Sequence, residues 1–197
     1  MGTIVVFENV SLDLVTQDPT GDEGFSRTDW RAGLAPADRA AWDRLILQDA
    51  LGAQALLLGR RSYEFFAARY PGRTGPLAER MNGLPKYVVS RTLADPGWHN
   101  STVLHGDLPA AAARLKERTE GEIRVYASSR LVHTLIEHDL VDELRLAVFP
   151  LLMGAGTRLF DPAGSPKPLR LAGARTVGES LTHLVYRAQF PAGPVSA

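Results

Sequence analysis

The chain has 197 residues, 22 basic against 22 acidic side chains, 45% hydrophobic residues and no cysteine. Length and apolar content predict one domain over residues 1–197 with a real core. The missing cysteines exclude a disulfide framework, a thiolate zinc site, an iron–sulfur cluster and a cysteine nucleophile, and they fit a reducing, cytoplasmic setting. Formal neutrality argues against nucleic acid as a partner. No apolar run approaches the ~20 residues of a membrane span, and the start MGTIVVFENVSL carries Glu8 and no basic region, unlike a secretory leader.

In chain order, residues 3–10 (TIVVFENV) read as a first strand, and residues 16–29, rich in turn formers and acids, as a long mobile loop. An amphipathic helix starts at Pro36, sets Trp42, Leu45 and Ile46 at helical spacing and ends near Gly52. The apolar run 55–59 (ALLLG) reads as a buried strand, followed by a helix over 60–70 that stops at Pro71. Residues 86–90 (KYVVS) and 101–105 (STVLH) are strands, 109–118 a helix, 123–127 (IRVYA) a strand and 128–139 a helix. Residues 143–150 alternate, with Leu144, Leu146 and Val148 on one side. Two last runs, 169–177 and 180–190, meet at Gly178-Glu179, a hairpin signal, and the tail PAGPVSA reads as frayed. Strand–helix alternation first and a hairpin last predict an α/β fold whose mostly parallel sheet ends in antiparallel strands.

In such sheets ligands bind beyond the carboxyl ends of the strands. Three post-strand segments there share one chemistry: Gly59-Arg60-Arg61-Ser62 opening a helix, Ser90-Arg91-Thr92, and Ala127-Ser128-Ser129-Arg130 opening another helix. Small and hydroxyl residues let backbone N–H groups approach a ligand, and a helix N-terminus beside Arg attracts phosphate. A plainer reading stands beside each one: Ser128 or Ser129 as a helix cap, Arg60 and Arg61 as surface charge. Of the basic residues 19 are Arg and only Lys86, Lys116 and Lys167 are Lys, which is mostly compositional bias. The common dinucleotide and P-loop fingerprints are absent, as is a nucleophile elbow. The five His are scattered, so no metal is expected. Asp142-Glu143 reads as a solvated turn pair.

The stretches SLDL (11–14), LLLGRRSYEFF (56–66), KYVVSRTL (86–93) and 123–160 together resemble the dihydrofolate reductase-like superfamily. Within it they are most similar to the reductase domain of the bifunctional riboflavin-biosynthesis deaminase/reductase and its stand-alone relatives. The similarity spans about residues 3–190, and the zinc-binding His and Cys signature of the deaminase half does not occur. The resemblance implies a three-layer α/β/α fold, a homodimer, NADPH as cofactor and a small-molecule substrate. It places Gly59, Arg60, Arg61 and Ser62 beneath the cofactor's phosphates and Ser90, Arg91 and Thr92 around the adenosine 2′-phosphate. Ala127, Ser128, Ser129 and Leu131 fall on the pyrophosphate and nicotinamide ribose, and Asp13 on the loop bordering nicotinamide and substrate.

Two positions depart from the pattern: Leu14 and Ala127 stand where glycine is common. The implied activity is hydride transfer from NADPH to a carbonyl, an imine, or a pterin- or pyrimidine-like ring, with Asp13 as the candidate catalytic group. A turn-forming Asp is the plainer reading of Asp13. Phe25 and Trp30 are candidates for stacking on an aromatic substrate or for anchoring the loop to the core. Asp38 resembles the substrate-binding acid of true dihydrofolate reductases, but its spacing to Gly59 does not fit that role. The competing readings are a non-catalytic ligand-binding or dimerising member of the fold, and a reductase that uses flavin or deazaflavin.

Overall fold

The computed structural model describes residues 1–25, 29–160 and 164–189. The tail PAGPVSA, Phe190 and part of the 16–29 loop lie outside the described residues. Eight strands among them, β1 (Thr3–Val10), β2 (Ala53–Gly59), β3 (Lys86–Val89), β4 (Ser101–Leu104), β5 (Glu122–Tyr126), β6 (Glu143–Val148), β7 (Leu169–Val177) and β8 (Leu181–Ala188), form one sheet. Its order is β4-β3-β2-β5-β1-β6-β8-β7. The first six strands pair in parallel, and β8 pairs antiparallel with both β6 and β7. The carboxyl ends of β1, β2, β3, β5 and β6 therefore share one edge.

Helices α1 (Pro36–Gly52), α2 (Arg60–Ala67) and α3 (Pro76–Gly83) cover one face, and α4 (Leu108–Arg118) and α5 (Ser129–Glu137) the other. Because side chains alternate along a strand, β2 sends Leu56 and Leu58 to the first core and Leu57 to the second. Leu45, Ile46, Tyr63 and Met81 close the first layer, and Ala112, Leu115, Leu131, Val132 and Leu135 the second. Each fully buried Leu or Ile contributes roughly 2–3 kcal/mol by leaving water. Leu144 and Leu146 share the second core as their alternation predicted, with Val148 packed against it.

The strands and most helices fall within a residue or two of their sequence limits, but the helix after β2 stops at Ala67. Residues 71–85 hold a helix that the sequence did not announce. Only Ala78 and Met81 of α3 are buried, and its flanking Gly and Pro read as turn signals. Tertiary contacts hold it in place: Arg80 donates to Ala50 O at 3.1 Å and to Ala53 O, at the end of α1. Lys86, fully buried, donates to the carbonyls of Asn82, Leu84 and His99 at 2.7, 2.8 and 3.0 Å, and its ammonium lies 4.3 Å from the Trp98 ring centre.

An ion network sits on the α1 face. Asp49, from the last turn of α1, meets Arg124 of β5 at 3.1 Å and Arg145 of β6 at 2.8 Å, and accepts the Tyr126 hydroxyl at 2.7 Å. Glu122 bridges both arginines. Asp142 and Glu143 are engaged as well, which corrects the reading of a solvated pair. Asp142 accepts the Ile4 N–H and pairs with Lys116, while Glu143 pairs with Arg145 and Arg187. A strand start beside charged neighbours uses such carboxylates as clamps.

Candidate cofactor site at the carboxyl edge

The site grows from the ends of β2 and β5. Gly59 closes β2, and its N–H donates to Ser128 Oγ at 3.1 Å. Ser128 Oγ donates in turn to Ser62 Oγ at 2.6 Å, and Ser62 Oγ to the carbonyl of Ala127 at 3.1 Å. This relay ties the N-termini of α2 and α5 together across the edge. A Cβ on Gly59 would come within 3.3 Å of Ser128 Oγ, a tight contact that would push the hydroxyl aside by a few tenths of an ångström. Leu131 packs beneath, buried.

Ser128 is the N-cap residue of α5, yet its hydroxyl makes no cap bond to its own helix. Nor does any side chain cap α2. The simple capping role for Ser128 is therefore overturned: its oxygen is spent on α2. The first-turn N–H groups of a helix have no carbonyl of their own helix to bond, so two positive helix ends stand side by side without a side-chain cap. That arrangement suits a bridging pyrophosphate.

Backbone geometry explains the two sequence departures. Leu14 has φ 63° and Ala127 φ 43°, followed by Ser128 at φ 120°. The chain holds the left-handed conformation that glycine favours even though side chains are present, at a cost of order 1 kcal/mol or more for each.

The third segment joins through Arg60, whose Nη1 donates to Thr92 Oγ1 while its Nε pairs with Glu64 at 2.7 Å. Ser90 turns inward: its hydroxyl accepts the N–H groups of Thr92 and Leu93, shaping the loop after β3. Arg61 and Arg91 are exposed, with no hydrogen bond or ion pair among the described residues. The structure thus brings all three segments together and distinguishes Arg60, a strut, from Arg91 and from Arg61, which lies near enough to Glu23 for their charges to attract.

Asp13 borders the same edge. Its carboxylate accepts from Ser11 Oγ at 2.7 Å, Met153 N at 3.0 Å and Gly154 N at 2.8 Å. These donors hold its pKa down to about 2, led by the Met153 bond, so it is ionised at neutral pH and offers no proton. It fastens the loop after β1 to the loop after β6. The zip continues through a Thr16–Thr157 backbone bond, a Val15–Arg158 bridge and Gln17 accepting Thr157 N–H. Thr16 Oγ1 also shares a hydrogen bond with Ser129 Oγ at 3.1 Å, a link between loops that no local pattern reveals.

Of the two aromatic candidates Trp30 is buried away from any ligand, and Phe25 is half-buried with its ring against the core. Trp30 is 1% exposed and packs edge-on to Phe149 at 5.6 Å, and Phe25 packs against the first core beside Gly156. Asp38 accepts Glu179 N–H at 2.6 Å and the Ser180 hydroxyl, bracing the β7–β8 turn. Among the described residues no group of three His, Asp or Glu is placed to hold a metal, and no helix is long and apolar enough to cross a membrane.

Cradled helix ends over a mixed sheet define a dihydrofolate reductase-like fold, and comparison bears this out. A riboflavin biosynthesis protein from Shewanella sp. PV-4, so described only provisionally, superposes with a TM-score of 0.73 at 20% identity, covering 95% of this chain and 99% of that one. A pyrimidine reductase-like protein from Corynebacterium diphtheriae gives 0.62 at 13% identity, covering 96% and 92%. The chain belongs to the RibD C-terminal domain family, whose model matches residues 2–183. Two uncharacterized Bacillus subtilis proteins are similar in sequence: YyaP at 26% over 136 residues, 66% of this chain and 72% of YyaP, and YwjB at 29% over 126 residues, 64% and 69%. Membership supports a reductase-type function on a small molecule.

Proposed function

We propose that this chain is an NADPH-dependent reductase that delivers hydride to a small oxidised substrate, a carbonyl, an imine, or a pterin- or pyrimidine-like ring. The observation that carries the reading is the pair of helix ends, α2 and α5, left without side-chain caps because Ser128 Oγ reaches across to Gly59 and Ser62. Family members of the reductase type use NADPH in general. Here Gly59, Arg60, Arg61 and Ser62 would hold the pyrophosphate from the α2 end, and Ala127, Ser128, Ser129 and Leu131 from the α5 end. Ser90 and Thr92 shape the pocket for the adenosine 2′-phosphate, and Arg91 supplies its countercharge. NADPH, when bound, supplies the hydride. Asp13 would take part by holding the loop that borders the nicotinamide and substrate, since its carboxylate is already ionised and bonded.

The exposed edge strand β7, with Leu169 37% and Leu171 51% exposed, supports a homodimer. Calorimetric titration tests the cofactor assignment. Wild type is expected to bind NADPH more tightly than NADH, and Arg91→Ala to lose about tenfold for NADPH while leaving NADH unchanged, the worth of one charge-assisted contact. Failure of both dinucleotides to bind at millimolar concentration rejects the reductase reading, and a yellow purified protein points to flavin instead.

A further inference from the structure

A second polar site lies away from the cofactor edge, in a groove of about 220 Å³ between α1 and β7. On α1 the spacing Ala41, Arg44, Leu45 and Gln48 puts four residues on one helical stripe. Leu45 packs into the core, and Arg44 and Gln48 stand exposed above it. Opposite them β7 contributes Arg175 and Thr176, and Gly178 closes the end.

Strand alternation fixes where Arg175 points. Val177 and Leu181 belong to the core under α1, so Arg175 and its cross-strand partner His183, two residues away from each, face α1 as well. Neither Arg44 nor Arg175 has a hydrogen bond or ion pair among the described residues. The acids of α1 are already paired: Asp38 with the β7–β8 turn beside Gly178 at the end of the groove, Asp43 with Arg31 at 2.8 Å, and Asp49, near enough to act on His183, with Arg124 and Arg145. His183, 8% exposed, leaves its Nε2 without a partner among the described residues. Burial, with Arg175 nearby, keeps its pKa below the ordinary value, so it adds little further charge.

Two guanidiniums and a side-chain amide line the one groove and bring donors to both of its walls. The ligand they fit carries several acceptor oxygens and negative charge on a compact centre. The groove is far too small for a dinucleotide. We propose that this groove binds the phosphate group of a small molecule, clasped between Arg44 and Arg175.

The test titrates inorganic phosphate into the full chain at constant ionic strength, followed by backbone amide shifts and calorimetry. Shifts are expected at Gln48 and at Arg175–Gly178. Arg44→Gln or Arg175→Gln weakens phosphate at these amides about tenfold each, and the double variant abolishes the response. Arg91→Gln, at the other edge, leaves it unchanged. Because both arginines are exposed, the double variant stays folded and keeps its dinucleotide affinity, so this result stands apart from the reductase reading. Phosphate shifts that survive the double variant, shifts confined to the carboxyl edge, or equal affinity for malonate each overturn the proposal.

Discussion

Glu8 is the most exacting test of the core as described. It lies in the middle strand β1, 4% exposed, and its Oε1 is buried with no hydrogen-bond partner among the described residues. Alternation sends its side chain opposite to Phe7, toward the layer of Val6 and Val10 under α4 and α5. Desolvation alone raises its pKa from an ordinary 4.5 to about 8. Below pH 4.5 the carboxyl is protonated in both folded and unfolded chains, and it makes no difference. Above that the unfolded chain loses its proton while the folded one keeps it, so stability falls by ~1.4 kcal/mol per pH unit until about pH 8 and then levels off. At pH 7 the penalty is roughly 3 kcal/mol, a large fraction of the 5–15 kcal/mol typical of a domain.

Glu8→Gln keeps the shape and removes the ionisation. Urea unfolding of both proteins from pH 5 to 9 is therefore expected to show a gap in favour of the variant. That gap widens with pH up to about 8 and is flat beyond. Parallel stability curves across the range would show that the carboxylate finds a partner or water, and the reasoning fails.

Three further outcomes follow from the same physics. Asp49→Asn strips the charge that faces Arg124, which is fully buried, and is expected to cost about 3–5 kcal/mol in urea unfolding; a loss below 1 kcal/mol means that Glu122 alone suffices. Ala127 is exposed but sits at φ 43°, so Ala127→Gly is neutral or slightly stabilising, while Ala127→Val costs about 2 kcal/mol by thermal unfolding, far more than an ordinary surface change. Asp13→Asn weakens its bonds to Met153 and Gly154 and is expected to speed hydrogen exchange at those two amides. In wild type the same amides stay protected above pH 4 and open as the pH falls toward 2, the direction set by a depressed carboxylate pKa.

Patterning alone determined the frame. The runs at 3–10, 55–59, 86–90, 123–127 and 143–150 are dense in residues that gain by leaving water, so strand identity was legible one segment at a time. So were the ends: Pro36 starts α1, and Gly178 turns β7 into β8. The three post-strand segments were legible for the same reason, because each follows an apolar strand with small or hydroxyl residues beside Arg. Leu14 and Ala127 stood out only against the family resemblance, and the backbone angles turned them into local strain. Tertiary structure decided what distance in sequence conceals. Whether Ser128 caps its own helix or reaches 69 residues back to Gly59 depends on how β2 and β5 lie side by side. Whether Asp13 is a proton donor or a loop clamp depends on two N–H groups 140 and 141 residues away. Local sequence fixes which hydrogen-bonding groups a residue carries; only the fold brings up the partners that use them, and with them the charge, the pKa and the role.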